Sequence, residues 1–84
     1  MKINVQDLTT SFNKLSWDIL ELIQKEPVNY KKLREETGTS QDKMYREIAR
    51  LEGAMLIVSE KDAVDQRVTN YSLSEYGKYV LENR

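Results

Sequence analysis

The chain has 84 residues, 39% of them hydrophobic and 32% charged, with a formal net charge of −1 and a pI near 5.4. That suits one compact domain over residues 1–84 and argues against wholesale disorder. With no Cys and no His, disulfides, thiolate chemistry, imidazole catalysis and the usual zinc ligands are excluded, so neither a metal nor a cofactor is expected.

No apolar run approaches the roughly 20 residues that span a bilayer, and the first residues, MKINVQDLTT, lack the apolar core of a signal peptide. A cytoplasmic protein without a membrane partner is expected. The charge is unevenly spread. Between Tyr30 and Leu51 the six cations Lys31, Lys32, Arg34, Lys43, Arg46 and Arg50 outnumber four acids, giving +2 against −3 for the rest.

In chain order, residues 1–14 read as an N-terminal arm or helix. Ile3, Val5, Leu8 and Phe12 supply apolar positions for a dimer contact. The first clear helix is SWDILELIQKE. Ser16 serves as its N-cap, Asp18 suits the positive helix end, and Ile19, Leu20, Leu22 and Ile23 form its apolar face. Pro27 ends it by disfavouring helical geometry at Glu26. A short second helix, NYKKLREETG, is capped by Asn29 and ended by Gly38 in the left-handed conformation.

Ser40 then caps a third helix, whose stripe of Met44, Ile48, Leu51 and Met55 recurs at helical spacing. Its opposite side collects Asp42, Lys43, Arg46, Ala49 and Arg50, with Tyr45 at the flank. Two helices joined by a tight Gly-containing turn, the second with a polar outer face, form a helix-turn-helix pattern.

MLIVSEK and RVTNYSL are rich in β-branched and aromatic residues and read as two strands. DAVDQ connects them without an Asn-Gly signal, which predicts a longer hairpin loop. SEYGKYVLENR closes the chain as a helix capped by Ser74, with Tyr76, Tyr79 and Val80 facing inward. The predicted fold is α+β: a winged helix-turn-helix with a three-helix core, a two-stranded β-hairpin wing and a C-terminal helix.

From Leu15 onward, roughly 70 of the 84 residues, the chain resembles the winged-helix core of the MarR family of transcriptional regulators. The stretches LSWDIL, LREETGTS, REIARLE, the DQR of the wing and LSEYG carry the resemblance. It implies a recognition helix over about residues 41–53 in the major groove of DNA, bearing Ser40, Gln41, Lys43, Tyr45, Arg46 and Arg50. It also implies a wing over about residues 60–68 at the minor groove. There Asp65 and Arg67 match an Asp-x-Arg pattern in which the acid orients the Arg, with Lys61 and Gln66 beside them. Gln66 stands where an Arg is common, and Met55 where the family usually places Gly. The long flanking helices that build the family's dimer and ligand pocket have little counterpart here, so a small-molecule effector is not expected.

The expected function is therefore a sequence-specific, double-stranded DNA-binding transcriptional regulator acting as a homodimer. Arg suits guanine, Gln41 adenine and Tyr45 a phosphate. The bland alternative is a solvated helical face, for which Glu47 and Arg50 at i, i+3 offer an internal pair. A second alternative uses the same fold as a protein-interaction module. Catalysis has weak support in the sequence: the serines have no histidine to activate them, and the paired carboxylates of adjacent Glu35 and Glu36 point in different directions.

Overall fold

A computed structural model describes residues 12–84. The elements are α1 (Lys14–Lys25), β1 (Val28–Asn29), α2 (Tyr30–Thr37), α3 (Gln41–Gly53), β2 (Ile57–Lys61), β3 (Thr69–Leu73) and α4 (Glu75–Glu82). The expected arm or helix of residues 1–14, with Ile3, Val5 and Leu8, lies outside the described residues except at its end.

The start of α1 differs from expectation. Asn13, not Ser16, is the N-cap: its side chain accepts from the Ser16 backbone N–H at 3.0 Å, and the Ser16 hydroxyl accepts from the Asn13 N–H at 3.1 Å. This reciprocal pair is a capping box. Its effect is to extend the helix back to Lys14 and place Ser16 in the interior, fully buried.

Asn29 caps α2 by accepting from the Lys32 N–H at 2.8 Å, and Gly38 ends it at φ +65°, both as the sequence predicts. Gly38 and Ser40 bracket a three-residue turn that starts α3, whose first free N–H groups are met by the Ser40 side chain at Lys43.

The far end of α3 is less regular. Leu56 N–H bonds to Leu51 C=O at 3.0 Å and Met55 N–H to Glu52 C=O at 2.9 Å. These two bonds, 6→1 and 5→2, are the Schellman ending. Met55 holds the position after the cap at φ +65°, where glycine is usual, and its side chain is 73% exposed. Met55 therefore does not join the inward stripe. The positive φ turns the chain away from the helix before the stripe reaches its fourth member, and buried Leu56 takes that place against Leu51.

β2 and β3 form the predicted hairpin, antiparallel from Ile57↔Leu73 to Lys61↔Thr69. The wing is larger than a hairpin alone, because Val28 and Asn29 pair with Tyr71 and Asn70 to add a third strand in the order β1-β3-β2. Pro27 sets up this short strand by holding the chain extended before it. Two residues carry no periodicity by which a strand can be read.

Ile19, Leu20 and Ile23 of α1, Leu33 of α2, Met44, Ile48 and Leu51 of α3, Leu56, Ile57 and Tyr71 of the sheet region, and Val80 of α4 form one core. Each such side chain contributes about 1.5–3 kcal/mol by leaving water. α4 is seated by Ser74, whose hydroxyl donates to Met55 C=O at 2.6 Å and accepts from Gly77 N–H at 2.9 Å. Gly77 packs so closely that a Cβ there would lie 2.1 Å from the Leu56 carbonyl oxygen. On this helix Val80 is fully buried while Tyr79 is 50% exposed. Tyr79 thus does not face the core as predicted, whereas Val80 does.

Candidate nucleic-acid interface

α3 lies between the N-terminal ends of the other two core helices, and a different chemistry joins it to each. On one side, Glu47 turns inward and is buried despite its charge. Its carboxylate accepts from the Ser16 hydroxyl and from Arg50 Nη2 at 2.8 Å. Arg50 Nη2 also donates to Ser16 Oγ at 2.9 Å, and its guanidinium stands 5.8 Å from the centre of the Phe12 ring. Phe12 in turn meets Trp17 edge-on, with centroids 5.1 Å apart. A buried carboxylate is tolerated only when paired and hydrogen-bonded, and here Ser16 and Arg50 supply both.

Arg50 differs accordingly from the free basic arm that the sequence suggests. Its guanidinium is engaged inward, its side chain 40% exposed. The helical pair Glu47–Arg50 exists, but as a contact between helices rather than a solvated surface pair. Glu47 shares the edge of the apolar stripe, three residues after Met44 and four before Leu51. That spacing is the sequence signal for its burial.

On the other side, the Tyr30 and Tyr45 rings stack with centroids 4.5 Å apart and 16° between their planes. The Tyr30 hydroxyl donates to the Gln41 carbonyl at 3.2 Å, at the first turn of α3. Burial and the neighbouring Tyr45 phenol raise the Tyr30 pKa, and burial and Glu52 raise that of Tyr71. Tyrosine phenols are protonated at neutral pH without any shift, and these shifts act in the same direction. Tyr45 remains 52% exposed, so its hydroxyl edge is held by packing and still open to solvent.

Between these flanks the outer face of α3 presents Gln41, Lys43, Tyr45 and Arg46, all exposed, with Ser40 at its start. Among the described residues, neither Lys43 nor Arg46 takes part in an ion pair. The structure thus brings Ser40, Gln41, Lys43, Tyr45 and Arg46 onto one surface.

The wing loop is organised by two carboxylates. Asp62 accepts from the N–H groups of Val64 and Asp65, each at 3.0 Å, and from the Asn70 amide at 2.9 Å. Asp65 accepts from the Arg67 N–H and Nε, both at 3.0 Å, and from Nη2 at 3.2 Å. Arg67, with a side chain 91% exposed, is thereby gripped at two points. The pairing is the one the Asp-x-Arg resemblance implies. The Arg67 side chain lowers the Asp65 pKa, and backbone and Asn70 hydrogen bonds lower that of Asp62. Gln66 and Lys61 are exposed on the loop and at the end of β2, and Val64 forms the tip, 95% exposed. Lys61, Asp65, Gln66 and Arg67 belong to the wing and sit apart from the α3 face.

A three-helix core with a helix-turn-helix and a β wing defines the chain as a winged helix-turn-helix. Solved structures share this fold. The adhesin competence repressor AdcR of Streptococcus pyogenes matches with a TM-score of 0.81 and 25% identity over 87% of this chain and 53% of its own. The transcriptional regulator BldR of Sulfolobus solfataricus matches with a TM-score of 0.85, at 21% identity over 95% of this chain and 58% of its own. The transcriptional regulator PcaV of Streptomyces coelicolor, seen with its natural ligand, matches at 0.80 and 16% identity over 93% of this chain and 57% of its own.

No protein-family model and no curated protein matches the sequence. The resemblance to the MarR-family winged-helix core is thus shown at the level of fold, and the chain spans about half the length of the structures it matches. PcaV shares the fold and is seen with its natural ligand, so the fold is compatible with a small-molecule effector, contrary to the expectation from the sequence. Among the described residues, no helix is long and apolar enough to cross a membrane.

Proposed function

We propose that this chain is a sequence-specific, double-stranded DNA-binding transcriptional regulator, with α3 in the major groove and the wing at the adjacent minor groove. The observation that carries the reading is the outer face of α3. Its cations Lys43 and Arg46 are in no ion pair among the described residues, they share the exposed face with polar Gln41 and Tyr45, and they lie on the element that this architecture presents to DNA. Structural likeness to transcriptional regulators supports it. Arg46, in the middle of the face, reads a base edge; Ser40, Lys43 and Tyr45 meet phosphates; Arg67, with Lys61 and Gln66 beside it, enters the minor groove. Arg50 acts by holding the helix in place. Because one winged helix covers only a few base pairs, the active species is a homodimer on two half-sites.

Selection of bound duplexes from a random pool, followed by fluorescence anisotropy on the selected site, tests the reading. The expected site has two-fold symmetry and takes two chains per duplex. Arg46→Ala, folded by circular dichroism, is expected to cost about 1–3 kcal/mol there and to relax the choice at one base pair per half-site. A folded parent that enriches no sequence and binds no duplex at low salt overturns the proposal and moves the reading to a protein-interaction module.

A further inference from the structure

The B-DNA major groove, about 12 Å wide, takes an α-helix whose own diameter with side chains is about 10–12 Å. A helix that fills the groove leaves its two walls, the phosphate backbones, to residues on neighbouring elements. In this chain the neighbours of α3 are the N-terminal ends of α1 and α2, one on each side, and each carries a lysine that the recognition-helix and wing readings leave unused.

Lys14 is the first residue of α1. It lines one shallow groove with Asn13, the Gly38–Ser40 turn, Lys43 and Arg46. Its side chain is 92% exposed, and its only ion pair among the described residues is with Asp18 at 3.5 Å. So exposed a pair holds the ammonium weakly. Lys14 comes to the side of α3 because Ser16, two residues on, is bound to Glu47 and Arg50. Lys31, the second residue of α2, lines the groove on the other side with Tyr30 and Arg67. It is exposed and in no ion pair among the described residues. The stack of Tyr30 on Tyr45 fixes its place beside α3.

We infer that Lys14 and Lys31 are phosphate contacts on opposite walls of the same major groove, forming two basic rails beside the recognition helix. The inference rests on the DNA-binding reading above and extends it to two helices outside the recognition helix and the wing. An ammonium on a flexible stem binds phosphate as a point charge and carries no sequence information. Each rail therefore adds to affinity and to salt dependence, and none to the choice of base. The two rails also differ from Arg50, whose guanidinium is occupied.

The test is duplex binding by anisotropy across a salt series, with the selected site and a scrambled duplex of equal length. Lys14→Gln and Lys31→Gln are each expected to flatten the slope of log K against log salt by about one unit, and the double variant by about two. The losses should be equal on the two duplexes. Lys78→Gln, on exposed α4 and away from both grooves, should keep the parent slope. If the parent binds and the Lys14 and Lys31 variants keep its slope, the rails do not exist while the DNA-binding reading stands. If the loss falls on the selected site alone, the lysines read bases and the rail assignment is wrong. A parent that binds neither duplex overturns the underlying reading and this inference with it.

Discussion

The two flanks of α3 solve one problem by opposite means. Toward α1 the contact is polar and interior: a buried carboxylate shared by a serine and an arginine, with Phe12 over the arginine. Toward α2 the contact is aromatic and near the surface: two stacked tyrosines and one hydroxyl on a helix-end carbonyl. Aromatic stacking is forgiving of small shifts, whereas a buried charge penalises any geometry that leaves it unpaired. The α1 side therefore fixes the rotation of α3 about its axis. The α2 side holds its first turn and leaves a tyrosine edge open to solvent.

The largest expected effect breaks the polar flank. Glu47→Ala removes the carboxylate shared by Arg50 and the Ser16 hydroxyl and should lower stability by about 2–3 kcal/mol, below the cost of a fully buried pair because Arg50 is partly solvated and keeps its bond to Ser16. Replacing both partners, Glu47→Leu with Arg50→Leu, should recover most of that loss. Urea denaturation decides the matter. A loss under about 0.5 kcal/mol for the single variant, typical of surface changes, would place Glu47 at the surface in solution.

The aromatic flank should be weaker. A double-mutant cycle with Tyr30→Ala and Tyr45→Ala should give a coupling of about 0.5–1.5 kcal/mol in the same assay. Additive losses would mean that the rings pack independently and that nothing but the hydroxyl–carbonyl bond joins α2 to the first turn.

The smallest effect serves as a control on both. Met55 closes α3 beyond either flank, in a left-handed conformation that costs an L-residue about 1–2 kcal/mol. Glycine removes that cost and adds roughly 0.5–1 kcal/mol of unfolded-state entropy. Met55→Gly should therefore stabilise by about 0.5 kcal/mol, or roughly 2–4 °C in Tm for a domain of this size. The Tyr30–Tyr45 coupling should stay unchanged in its background. A lower Tm would show that the Met55 side chain, though exposed, contributes packing that the backbone argument omits.

What the sequence determined by itself was whatever depends on near neighbours along the chain. Asn29, Gly38, Ser40 and Ser74 act within three or four residues, so their caps and turns were legible, as were the apolar stripe of α3 and the two long strands. The pairing of Asp65 with Arg67 is what the resemblance to the family's Asp-x-Arg wing pattern implies, and the structure shows the two side chains bonded. Met55 stands where glycine is usual, and the structure shows why that position matters: it takes the φ that glycine takes without cost. Ser16 reads locally as an N-cap but is the third residue of α1, because Asn13 and Ser16 are both capping residue types and only the helix start tells which of them caps.

Only the tertiary structure decided what long sequence separations bring together. Ser16 and Glu47 are 31 residues apart; the place of Glu47 at the edge of the apolar stripe marks it for burial, but which side chain meets its carboxylate is set only when the helix across from it is in place. The same holds for Tyr30 beside Tyr45, for the two-residue strand of Val28 and Asn29 that exists only because β3 offers it an edge, and for the outward turn of Tyr79. Side-chain burial and pairing are set by whichever surface arrives from elsewhere in the chain. The basic face of α3 could accordingly be read from the sequence, while the division of its cations into engaged Arg50 and Lys43 and Arg46, in no ion pair among the described residues, required the packed fold.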